Sequence, residues 1–90
     1  MSASHLVVVP SLSERPSAAE KVRRLRAEAR NLAHEHVEAL AQALAEVAQL
    51  SAEIAEGGEA YPVGAREIAR RLIDEAGKQS LTLSAILDRS

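Results

Sequence analysis

Between Val22 and Ile54 apolar side chains recur mostly at steps of three and four: Val22, Leu25, Ala29, Leu32, Ala33, Val37, Leu40, Leu44, Val47, Leu50 and Ile54, with Ser51 in the same stripe. That spacing keeps side chains on one face of an α-helix. Ser17 suits the N-cap, and Glu20 three residues later completes a capping box. No Gly or Pro follows until Gly57. The pattern therefore predicts a helix over about 18–56, roughly 58 Å long at 1.5 Å per residue. The register slips between Leu32 and Val37, so this stripe is not a strict heptad. Gly57-Gly58 ends the helix, because glycine adopts the left-handed conformation cheaply. Pro62 suits the first turn of a second helix over about 62–89, whose stripe is Ala65, Ile68, Leu72, Ala76, Leu83, Ile86 and Leu87. Gly77 lowers helix propensity there by about 1 kcal/mol relative to Ala and marks a place where the helix could break.

A short connection makes consecutive helices antiparallel neighbours. Counting back from the turn sets Ile54 opposite Ala65, Val47 opposite Leu72, Leu44 opposite Ala76, Val37 opposite Leu83 and Leu32 opposite Leu87. Residues 18–30 have no partner in such a hairpin, although Val22, Leu25 and Ala29 continue the apolar stripe there. Two helices do not enclose a core, and an exposed stripe of this kind needs a cover. The expected architecture is all-α: an antiparallel helical hairpin over 17–90, homodimerising into a four-helix bundle. The core of that hairpin or dimer is expected from Val22, Leu25, Leu32, Val37, Leu40, Leu44, Val47, Ile54, Ile68, Leu72, Leu83 and Leu87. Residues 1–16 form an extended or disordered N-terminal arm. Its β-branched run Leu6–Val9 is bounded by Pro10, with Pro16 and several serines beyond.

Composition supports the helices and narrows the function. Alanine, the best helix former, supplies 18 of 90 residues, whereas Tyr61 is the lone aromatic. A core must then be made of Leu, Ile, Val and Ala. Without cysteine there is no disulfide framework, thiolate zinc site or cysteine nucleophile. No apolar run approaches the roughly 20 residues that span a bilayer. The amino terminus lacks the features of a signal peptide, so a cytoplasmic location is expected.

Charge is segregated along the chain. Residues 15–30 carry six basic and two acidic side chains, residues 31–61 carry six Glu and no Lys or Arg, and residues 62–90 carry five basic and four acidic. The overall balance of −2 argues against a generally basic nucleic-acid binder. Glu53 and Glu56 fall near Arg66 and Arg70 in a hairpin, and such pairs contribute about 0–1 kcal/mol each while favouring one pairing direction. Arg15, Lys21, Arg23, Arg24, Arg26 and Arg30 form the one basic cluster able to follow phosphates or dock on an acidic partner. No aromatic residue interleaves with them, which argues against stacking of single-stranded bases.

Candidate chemistry is sparse. His34 and His36 lie about 200° apart on a helix and do not clamp one ion, so no metal site is expected. No phosphate loop, nucleophile elbow or cofactor motif occurs. The segment Arg66-Glu67-Ile68-Ala69-Arg70-Arg71-Leu72 resembles the first helix of many helix-turn-helix motifs, with Gly77 as turn and 79–89 as recognition helix. Gly77 stands eight residues after Ala69, where four is usual. Asn31-Leu32-Ala33-His34-Glu35 is similar to the H-box of histidine kinase dimerisation domains, which are dimeric helical hairpins. The match ends at position 39, an Ala where the box continues with Pro. The expected function is a small non-enzymatic interaction or adaptor protein without cofactor. The alternatives are a DNA-associated regulator using 15–30 or 66–89, and a phosphotransfer-like dimer centred on His34.

Overall fold

The computed structural model describes residues 17–90, and the expected N-terminal arm lies outside the described residues. Two long helices make up the described chain. Helix α1 spans Ala18–Glu56, a single-turn 3-10 helix spans Gly58–Ala60, and helix α2 spans Val63–Arg89. The first turns of α1 belong to an N-terminal unit ending at Asn31, and Leu32–Ser90 form the helical hairpin.

Each end has an identifiable cause. Ser17 caps α1: its Oγ accepts a hydrogen bond from the Glu20 N–H at 3.0 Å, and its carbonyl accepts from Lys21 N–H at 2.9 Å. Gly58 supplies the left-handed residue of the turn, with φ +74. Gly57 has φ −76 and is required for space instead: a Cβ there would run into the Tyr61 ring and come within 3.1 Å of the Glu53 carbonyl oxygen. Arg66 ties the turn from the other side, donating from Nε to the Tyr61 carbonyl at 3.1 Å. Pro62 is extended (ψ 145) and precedes α2 as its N-cap; its carbonyl receives the Arg66 N–H at 3.0 Å. At the far end of the hairpin three groups converge on the Leu87 carbonyl, namely Ser90 N–H, Ser90 Oγ and His34 Nε2, the last at 3.3 Å. With its proton on Nε2, His34 donates across from α1 and satisfies a last-turn carbonyl of α2.

The seam between the helices coincides only in part with the stripes read from the sequence, sharing Val37, Leu44, Ser51, Ala76, Leu83 and Leu87 with them. On α1 the seam runs through Val37, Ala41, Leu44, Ala48, Ser51 and Ala55, all shielded, with Ala52 and Ile54 half-buried beside it. On α2 it runs through Arg66, Ala69, Ile73, Ala76, Ser80, Leu83 and Leu87. Both series advance by alternate steps of three and four, so the hairpin is joined by a strict heptad seam in each helix. The buried members are Ala41, Ala69, Ala76, Ser51 and Ser80, and among the described residues no large side chain is fully buried. Small residues at the contact let the two backbones approach, and Ser80 Oγ then donates to the Ala41 carbonyl at 2.7 Å. The contacts Ala41/Ser80 and His34/Leu87 show the helices antiparallel along most of α2.

Helix α2 continues unbroken through Gly77. The helix-turn-helix reading of 66–89 requires a turn there, and the continuous helix removes it. Gly77 faces α1, where a Cβ would meet the Ala48 methyl at 4.0 Å, an ordinary van der Waals contact.

Three substitutions test this account by thermal or urea melts at one fixed protein concentration. Gly77→Ala is expected to stabilise by about 0.5–1 kcal/mol, since it improves helix propensity without a clash. Gly57→Ala should destabilise by about 1–3 kcal/mol through the collision with Tyr61. Ser80→Ala is expected to cost about 1 kcal/mol for the lost interhelical hydrogen bond.

Candidate functional site

The residues with candidate chemistry do not converge. Arg15 lies outside the described residues. Lys21, Arg23, Arg24, Arg26 and Arg30 are all exposed on the first turns of α1. They divide between two faces. Arg23, Arg26 and Arg30 share one at steps of three and four, while Lys21 and Arg24 share another with Glu28, which dilutes them. His34 is exposed and engaged with the Leu87 carbonyl, and His36 is exposed two residues on. Among the described residues no group of three or more His, Asp or Glu is placed to hold a metal ion. No helix among them is long and apolar enough to cross a membrane.

Of the twelve apolar residues expected in a hairpin or dimer core, Val37, Leu44, Ile54, Leu83 and Leu87 are half-buried. Val22, Leu25, Leu32, Leu40, Val47, Ile68 and Leu72 are exposed in the single chain, with Leu32 at 67% and Leu40 at 52%. The residues actually buried include Ala41, Ala69 and Ser80, which stand outside the stripe of large side chains. Their signal was present as a run of Ala and Ser at heptad spacing.

The exposed apolar residues of α1 are themselves ordered. Val22, Arg26, Ala29, Ala33, His36, Leu40, Ala43, Val47, Leu50 and Ile54 follow alternate steps of four and three. This is a second heptad line, with Leu50 at 59% exposure and only Ile54 half-buried. Many of its members stand one residue before a member of the hairpin seam: Leu40 before Ala41, Val47 before Ala48, Ile54 before Ala55. One residue is about 100° of helix, so the second line lies about a quarter-turn from the first. Helix α2 carries a corresponding line one residue before its own seam: Ala65, Leu72, Gln79 and Ile86, with Ile68 beside them. Because the helices are antiparallel, the position preceding each seam residue falls on the same side of the pair. Leu40, Val47, Leu72 and Ile86 therefore share one flank of the hairpin, all of them exposed. The opposite flank carries Leu81, 74% exposed, among mostly polar or small residues that include Glu38, Gln42, Ala45 and Ser84, which line a shallow depression with Ala41 and Ser80.

Soluble single chains rarely leave this many large aliphatic residues on one side. No family model, no curated protein and no solved structure matches this chain. The functional reading therefore rests on the geometry of its own residues.

Proposed function

We propose that this protein is a small, non-enzymatic interaction module that works as a homodimer, two hairpins packing by their apolar flanks into a four-helix bundle. The observation that carries the reading is the inverted distribution of side chains. The buried residues of the hairpin's own seam are Ala and Ser, whereas Leu40, Val47, Leu50, Leu72 and Ile86 remain exposed beside it. A seam whose large side chains are only half-buried buries little area, and small domains without disulfides or metals commonly complete their core by association. Full burial of a Leu, Ile or Val contributes about 1.5–3 kcal/mol, so covering a half-exposed one contributes about 1 kcal/mol. Leu40, Val47, Leu50, Leu72 and Ile86 from each of two copies supply about 10 kcal/mol on that scale. This is comparable with the roughly 4–15 kcal/mol lost in restricting two bodies to one. The bundle so formed is a scaffold whose outer faces would engage other proteins.

The second reading is a DNA-associated role for the basic segment. Its support is the exposure of Lys21, Arg23, Arg24, Arg26 and Arg30. Steeply salt-dependent binding of random duplex DNA would give it first place, and no binding at low salt would end it.

Light scattering on a sizing column at micromolar concentration tests the first reading. The expected mass is twice the 9.6 kDa of one chain. Leu40→Glu combined with Leu72→Glu is expected to yield monomer with reduced helicity. A wild-type monomer that is fully helical and melts independently of concentration would overturn the reading.

A further inference from the structure

We propose that the second heptad line of α1 is occupied by the same line of a second copy, laid antiparallel about an axis at Glu38. This rests on the homodimer reading above and adds which helices meet, in which direction and in which register.

The choice of helix follows from polarity. The exposed line of α2 carries Glu75, Gln79 and Thr82 through its middle, whereas Arg26 and His36 are the only polar members of the line on α1. Apolar surface is covered at least cost by the partner that is apolar throughout. The quarter-turn between the two lines of α1 also suits a square bundle, with α2 on one side and the partner's α1 on the next.

Register follows from the ends. Pairing positions equidistant from residue 38 sets Val22 against the partner's Ile54 and Ala33 against the partner's Ala43. The whole line is then used. A slip of one heptad leaves an end without a partner.

Direction follows from charge. Residues 20–30 carry net +3 and residues 46–56 carry net −3. An antiparallel pair about residue 38 lays each block on its opposite. Arg26, the one cation within the line, then stands opposite the partner's Leu50. Glu46 and Glu53 lie within one turn of that residue and meet the guanidinium. A parallel pair would instead stack Arg26 on its own copy and the acidic block on itself, which is repulsive.

The chain has no cysteine, so single cysteines report position without background. Each variant is first confirmed helical by circular dichroism and dimeric by light scattering, then oxidised. Ala39→Cys is expected to cross-link to itself, because position 39 flanks the line beside the axis. Ala43→Cys alone is expected not to cross-link, while a mixture of Ala33→Cys and Ala43→Cys gives the mixed disulfide. Self-cross-linking of Ala43→Cys, with none at Ala39→Cys, would establish a parallel pair and overturn the proposal while leaving the dimer intact. Dimer without cross-links at any of these positions would place the interface elsewhere and overturn it too. A monomeric wild type would remove the underlying reading instead. Independently, Arg26→Glu is expected to weaken dimerisation at least tenfold, and adding Glu46→Arg and Glu53→Arg should restore it. Equal dimer affinity in all three chains would overturn the charge argument and the proposed direction.

Discussion

The Ser80 hydroxyl reaches the Ala41 backbone carbonyl at 2.7 Å. A hydroxyl on a one-carbon stem makes that contact only where two helix backbones run close together. Closeness is possible because Ala41, Ala48, Ser51, Ala69 and Ala76 offer nothing bulkier than a methyl or hydroxymethyl group along the seam. Much else in the hairpin follows from it. A Leu or Ile in those places would force the axes apart, and the Ser80 bond would be lost. With small residues at its closest points, the seam holds Val37, Leu44, Ile73, Leu83 and Leu87 only half-buried, and Leu40, Val47 and Leu72 are left outside it.

Both ends of the hairpin are closed by side chains donating to carbonyls. Arg66 holds the Tyr61 carbonyl at the turn, and His34 meets the Leu87 carbonyl at the other end. Each contact satisfies a backbone acceptor at or near the end of a structural element while joining neighbouring segments. His34 Nε2 is directed at the Leu87 carbonyl while the side chain stays exposed. Tyr61, the lone aromatic, lies against Gly57 and fills the turn.

The distribution of charge gains meaning from the helices that carry it. One uninterrupted helix holds a basic block and an acidic block in sequence, a pattern suited to an antiparallel copy of itself. Exposed pairs of this kind add little stability each, but like-charge juxtaposition is unfavourable, so they select direction more than they add affinity. The proposed association draws its affinity from aliphatic side chains and its orientation from charge.

An all-helical chain with antiparallel helices was legible in the sequence because its signals are local. The Ser17 cap, the long stretch without Gly or Pro, the Gly57-Gly58 stop and the three-four spacing each act through neighbours within a turn or two. The identity of the seam was legible only in part: Val37, Leu44, Leu83 and Leu87 were expected in the core and lie in the seam, whereas Ala41, Ala48, Ala69 and Ser80 were not expected there. On α1 two apolar lines stand one residue apart, and hydropathy favours the line with Leu40, Val47 and Ile54 over the line with Ala41, Ala48 and Ala55. Only the tertiary structure decided between them, because the choice depends on how closely two backbones can approach, which is a property of the pair and not of either helix. Continuity through Gly77 was likewise decided there. The glycine weakens an isolated helix by about 1 kcal/mol, and packing of the flanking Ala76 and Ser80 against α1 outweighs that cost.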